Sequence, residues 1–184
     1  MRPISFEASD GHIQDVGLAT PLPVDGRCFR STATITRPSN MTPYGVGDVI
    51  GDTNGSAIIT LATIGPSGGF IQLQSLRLFI YSGTLPTSMT GLRLHLYSAS
   101  PTAIADNAAW DLVSGDRANY LDYIDFPTPT DMGATLFTKV DFAGNLLKLT
   151  GTSLFGLLQT STAATFAENS TVLDLRVNAI EMSL

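Results

Sequence analysis

The stretch Val172-Leu173-Asp174-Leu175-Arg176-Val177-Asn178-Ala179-Ile180 decides the fold. Successive side chains of an extended chain point to opposite sides. Leu173, Leu175, Val177 and Ala179 therefore share one face, and Asp174, Arg176 and Asn178 share the other. One face is made for a core and the other for water. The same alternation in Leu92 to Tyr97 sets Leu92, Leu94 and Leu96 inward and Arg93, His95 and Tyr97 outward. Leu76, Leu78 and Ile80 alternate likewise with Arg77, Phe79 and Tyr81, while Ile71 and Leu73 are out of phase with them. That phase change predicts a bulge near Ser75.

Outward from these three segments, short runs rich in Ile, Leu, Thr, Phe and Tyr are separated by Gly, Pro, Asn and Ser clusters. Phe29–Thr36, Ala57–Ile64, Tyr120–Phe126, Leu136–Phe142, Leu146–Leu149 and Leu154–Ser161 are the further strand candidates. The total of about nine strands is what a sandwich or barrel needs. The one helix-like stretch is Asp106 to Val113, where Asp106 is placed to cap a turn carrying Ala108, Ala109 and Trp110. We read it as an insert between strands and not as a layer. Without alternating strands and helices, the expected architecture is all-β: an antiparallel β-sandwich, jelly-roll-like, burying one face of each strand. No internal repeat points to a propeller or solenoid. Residues 1–27 are polar and turn-rich, with Asp10-Gly11, Pro21-Leu22-Pro23 and Asp25-Gly26. They read as an extended N-terminal arm, leaving 28–184 as a single β-sandwich domain.

Composition narrows the function. The 184 residues are 43% hydrophobic and 14% charged, enough to bury a core and far from the composition of disordered chains. Sixteen acidic against 10 basic residues give a formal net charge of −6. The Lys and Arg stand singly along the sequence and not as a phosphate-binding stripe, so no direct nucleic-acid partner is expected. Cys28 is the only cysteine, which excludes an internal disulfide and a multi-cysteine metal centre. We read it as a buried free thiol. Met1 to Glu7 holds no apolar run of signal-peptide type, and no segment approaches the ~18 continuous apolar residues of a membrane span. The expectation is a chain that stays in the cytosol unless it leaves within something larger.

No catalytic, cofactor or metal site is expected. His12 lies in the arm and His95 on an outward strand face, so both read as surface histidines and not as a ligand pair. Ser67 in Gly65-Pro66-Ser67-Gly68-Gly69 superficially resembles a nucleophile elbow, but the flanking Pro and Gly pair favour a strand-connecting loop. Asp122 and Asp125 are three apart, which on a strand sends them to opposite faces and rules out a local glycosidase pair. Asp48, Asp52 and Asn54, with Gly51 and Gly55, have the oxygen-rich composition of a calcium loop without its spacing, and a hydrogen-bonded turn is the favoured reading. Tyr81, Tyr97 and Tyr123 together offer stacking surfaces for a carbohydrate if they share a face. The run Leu154-Phe155-Gly156-Leu157-Leu158 is apolar on both sides, which fits a core strand or a subunit interface.

Thr42-Pro43-Tyr44-Gly45-Val46-Gly47-Asp48-Val49-Ile50-Gly51 resembles a segment that precedes the first long hairpin in a family of small tailed-bacteriophage virion proteins. The resemblance continues through Gly68-Gly69-Phe70-Ile71-Gln72-Leu73, the strand Leu92 to Tyr97, Pro101-Thr102 with Asp106-Asn107-Ala108-Ala109-Trp110, and Leu154 to Leu158. It covers roughly residues 42–182. It implies a virion structural protein, made in the host cytoplasm and located on the capsid surface. Such a protein decorates or cements the shell by binding the major capsid protein lattice. The family supplies no catalytic residues. Shell symmetry, by analogy, suggests a homotrimer. The alternative is a tail or head-fibre adhesin that binds host glycan.

Overall fold

The computed structural model describes residues 4–7, 13–16, 26–53, 55–142 and 144–182. Its strands, in chain order, are β1 (Ile4–Glu7), β2 (Ile13–Val16), β3 (Cys28–Thr36), β4 (Ile58–Leu61), β5 (Phe70–Tyr81) and β6 (Gly91–Tyr97). They continue with β7 (Tyr120–Pro127), β8 (Thr130–Asp131), β9 (Leu136–Asp141), β10 (Leu146–Lys148), β11 (Leu154–Thr160) and β12 (Val172–Met182). The arm expected over residues 1–27 falls largely outside the described residues. Within it, β1 and β2 pair antiparallel with each other.

The remaining strands pair as one long hairpin folded over on itself. β6 pairs with β7 at the tip, then β5 with β9, β4 with β11, and β3 with β12, all antiparallel. Two further pairings, β12 with β5 and β11 with β6, roll this ribbon up. The result is a first sheet in the order β3-β12-β5-β9-β8, with β10 also on β5, and a second in the order β4-β11-β6-β7. That order, with every ladder antiparallel and the chain crossing between two sheets, is the double Greek-key jelly roll.

Alternation places the core as the sequence predicts. Leu173, Leu175, Val177 and Ala179 from β12, Leu76, Leu78 and Ile80 from β5, and Leu92, Leu94 and Leu96 from β6 are buried in one cluster between the sheets. The predicted bulge lies at Gln74: Ser75 opposes Asn178 and Leu73 opposes Ala179, so one extra residue sits on β5. It returns Ile71 and Leu73 to the core face, and both are fully buried.

Three expectations are corrected. There is no helix among the described residues, and Asp106–Val113 forms a turn followed by irregular chain. Asn107 has φ +60°, which breaks a right-handed helix one residue after the supposed cap. The insert does form a layer: Ile104, Trp110 and Leu112 pack with Val49, Ala57, Tyr97 and Leu157 in a second apolar cluster on the outer side of the second sheet. Leu154 and Leu158 face the main cluster and Leu157 the second, so β11 is a core strand. Cys28 is exposed, because it opens β3 on the same outward face as Arg30 and Thr32.

Leu78 is the measure of this core. Leu78→Ala is expected to cost about 2–5 kcal/mol by urea unfolding, since the surrounding sheets can close only part of the cavity. A loss well below ~1 kcal/mol would mean the sheets are not packed as described.

Candidate functional site

The two outer surfaces of the sandwich differ. The second sheet is roofed by two segments distant in sequence, residues 44–51 and 104–112. The amide of Asn107 donates to Val49 O, that of Val49 to Ala108 O, and that of Trp110 to Gly47 O, each at 2.9 Å. Asp106 Oδ1 accepts from the Gly51 amide at 2.8 Å and from the Tyr44 hydroxyl at 2.7 Å. A Cβ on residue 51 would stand 2.7 Å from Asp106 Cβ, so the close approach demands glycine. The Thr42–Gly51 and Asp106–Trp110 segments are thus one structural unit.

Beside this unit, Arg37 is 0% exposed. Its Nε donates to the Tyr44 hydroxyl at 2.9 Å, and its guanidinium carbon lies 4.0 Å from the Phe166 ring centroid and 4.9 Å from that of Tyr44. Nη1 and Nη2 have no hydrogen-bond partner among the described residues. The ring faces offset part of the cost of burying the cation. Burial, then the bond to Asp106, pushes the Tyr44 hydroxyl above its ordinary pKa, so it stays a neutral donor.

The roof also overturns the outward reading of His95 and Tyr97. His95 is 2% exposed, stacked on Trp110 with ring centroids 3.8 Å apart and planes 9° from parallel. Gln159 Nε2 donates to Gly47 O, which turns its Oε1 toward His95 Nε2 at 2.9 Å. His95 Nε2 therefore carries the proton, and Nδ1 accepts from the Tyr120 hydroxyl at 3.1 Å. Burial lowers the His95 pKa, and burial pushes the Tyr120 hydroxyl up to about 12. The Trp110 indole donates to the buried Tyr97 hydroxyl at 3.3 Å. The polar tips end on one another or, for Gln159 Nε2, on the Gly47 carbonyl, so the cluster pins the roof to the sheet.

The first sheet has no such roof among the described residues. Its register sets Thr32, Arg176, Arg77 and Lys139 side by side on β3, β12, β5 and β9, with Arg30 and Asn178 in the next row. Basic residues scattered through the sequence are thereby gathered on one face, which the sequence reading does not anticipate. Arg176 pairs with Asp174 at 2.7 Å and Lys139 with Asp141 at 2.6 Å. Arg77 has no carboxylate partner among the described residues. Phe79 and Phe137 sit next to this row with ring centroids 5.0 Å apart, and Arg176 lies over the Phe79 ring. Met132, 66% exposed, flanks them and lines a shallow depression with Arg77, Phe79, Phe137 and Lys139.

The other sequence candidates separate. His12 and Asn54 lie outside the described residues. Ser67 sits in an exposed turn before β5, closed by the Gly69 amide on Pro66 O. Asp52 accepts from the Thr53 amide and hydroxyl, and Asp48 from the Gly45 amide, so both carboxylates serve turns. Asp125 opposes Arg93 and binds it bidentately, which holds its carboxyl below the usual range, whereas Asp122 opposes Leu96. Tyr81, 42% exposed, is on the first sheet, and Tyr123, 47% exposed, on the second, while Tyr97 is under the roof. The three tyrosines do not form one stacking face.

No protein-family model matches the chain. No curated protein matches it in sequence. Among solved structures it is similar to tobacco necrosis virus, at 14% identity and TM-score 0.31, over 86% of this chain and 96% of that one. Cocksfoot mottle virus gives 12% identity and TM-score 0.31 over 100% and 96%. Desmodium yellow mottle tymovirus gives 13% and 0.27 over 93% and 97%. At such TM-scores the overlays add nothing to the strand order, which by itself places the chain among jelly rolls.

His95 yields a pH test. Its folded pKa lies below the unfolded value near 6.5, so its contribution is complete above pH ~6.5 and is lost as pH falls from there toward the folded value. Urea unfolding is expected to show a stability slope in that window approaching, at most, about 1.4 kcal/mol per pH unit from this group. His95→Gln should remove that slope, and an identical slope in both proteins would contradict the buried neutral imidazole.

Proposed function

We propose that the chain is a virion structural protein that decorates or cements a capsid shell, binding the major capsid protein lattice and bridging between capsomers. The observation that carries this reading is the outer face of the first sheet, which has no roof among the described residues. It is broad, and it combines an aromatic pair with a row of cations. Such a face suits a protein partner, whereas small-molecule chemistry calls for a concave site with convergent polar groups. The jelly roll is used by viral shells and also by lectins and cupins, so the fold permits the role without fixing it. The sequence resemblance over residues 42–182 supplies the choice among these. The split of Tyr81, Tyr97 and Tyr123 removes the shared tyrosine face on which the glycan-binding alternative was drawn.

In this reading the arm, residues 1–27, contacts the shell while the sandwich stays rigid. Many weak contacts across a lattice then sum to firm attachment. A chain lacking residues 1–27 is expected to fold, with an unfolding midpoint close to that of the full chain. Its binding to shells free of this protein, read by co-pelleting, should fall at least tenfold. Unchanged binding would remove the arm from the mechanism, and no binding by the full chain would overturn the reading.

A further inference from the structure

We propose that β3 is a docking strand: a second copy of this chain adds its own β3 antiparallel to the free edge, joining two first sheets across a two-fold axis. The pairing needs no shell and does not depend on attachment to one.

An edge strand offers unpaired N–H and C=O groups to any extended chain, and most edges of this sandwich are blunted against that. β4 has only four residues. β7 carries Asp122 and Asp125, ends on Pro127 and is bulged at Leu121, which stands between the partners of Tyr97 and Leu96. At the far side of the first sheet lie the three-residue β10 and the two-residue β8, and the part of β9 that β8 leaves uncovered holds Lys139 and Asp141. β3 has none of these devices. It is nine residues long, keeps one register with β12 throughout, contains no proline and carries Arg30 as its one charge. That side chain leans over the sheet, away from the edge, where its Nε donates to Asn178 Oδ1 at 3.2 Å.

The register tells which backbone groups are left over. The Arg37 amide donates to Thr171 O and the Glu181 amide to Arg27 O, so the odd-numbered residues of β3 bond to β12. Antiparallel alternation then turns the N–H and C=O groups of Cys28, Arg30, Thr32, Thr34 and Thr36 the other way. Thr36 O is met on that side by the Thr53 amide at 2.9 Å. The other four residues have no ladder partner there among the described residues. Phe29 and Ala33, on the core-facing side of the same edge, are only partly buried. An added strand satisfies the first set and covers the second.

Such an edge selects an extended strand, and the sequence of β3 fits itself. Two antiparallel copies can align Cys28 with Thr34 and Arg30 with Thr32, each twice by symmetry, which uses all four free residues. Phe29 of each copy then opposes Ala33 of the other in the closer, non-hydrogen-bonded pairs. The neighbouring registers are poorer. One sets Arg30 against Arg30, like charges directly opposite, and the other brings in Thr36, whose carbonyl is already engaged. The favoured contact is isologous, so it closes at two copies.

Sedimentation velocity on the purified full chain tests this, and association should rise with concentration to a plateau at the dimer. Thr32→Pro removes an N–H that faces away from β12 and leaves every bond between β3 and β12 in place. The dimer dissociation constant should rise at least tenfold, because the two-fold axis loses the bond twice, while the melting curve of the dilute chain stays close to that of the parent. Should the proline unsettle β3 itself, the register supplies a second pair of variants. Thr32 lies opposite Arg30 of the other copy, so Thr32→Lys should weaken association and Thr32→Glu strengthen it, each severalfold. Thr34→Cys sets a thiol opposite Cys28 of the second copy at a Cα separation of about 5.5 Å, within disulfide reach, and a mild oxidant should convert it to a covalent dimer. Thr32→Cys, one pair out of register, should not cross-link at a comparable rate, nor should the parent chain, whose two Cys28 residues would stand about 20 Å apart. A chain that is monomeric at every concentration would overturn the proposal, as would dimers indifferent to all three substitutions at Thr32 or cross-linked equally well through positions 32 and 34.

Discussion

The ladder between β12 and β5 is the constraint on which the rest of the structure depends. The nested pairs, β3 with β12 through β6 with β7, describe only a long two-stranded ribbon, which would leave both apolar faces wet. Pairing β12 with β5 as well brings the outermost and inner parts of that ribbon together. The ribbon then closes into two sheets with one core. The extra residue at Gln74 keeps the closure in phase, since a one-residue slip would turn every side chain on one half of β5 to the wrong face. Register, core and outer faces follow from this one alignment.

Closure leaves two outer faces, and they are treated differently. The second sheet is covered because β11 and β6 carry apolar or aromatic residues outward, Leu157 and Tyr97, that would otherwise meet water. Residues 44–51 and 104–112 supply the cover, locked by Asp106 on Tyr44 and Gly51 and by the stack of His95 on Trp110. The first sheet carries Arg, Lys, Thr and Asn outward among its aromatics and has no cover among the described residues. One side is covered within the chain, and the other has no such cover among the described residues. That asymmetry, more than any single residue, is what the proposed assembly role rests on.

Much of the fold was legible in the sequence, because alternation is a local property. Val172–Ile180 names its own core face, and the phase change between Leu73 and Leu76 locates the bulge to within a residue. Alternation says only that a strand has two faces, however, and not what lies on the second. By alternation alone His95 and Tyr97 therefore belong to water, and Asp106–Val113 reads as a helix-like insert with no place in the layers. The basic face was illegible for a related reason. Arg30, Arg77, Lys139 and Arg176 stand on four different strands and become neighbours only through the register. The Thr42–Gly51 and Asp106–Trp110 segments stood out as motifs, yet nothing local shows that Tyr44 and Asp106 meet.

Electron cryomicroscopy of shells stripped of this protein and then supplied with the purified chain tests the central claim most directly. The account predicts saturable, symmetric density on the shell into which the jelly roll fits as one unit. Shells that remain bare, with the protein confined to tails or fibres of native particles, would contradict it.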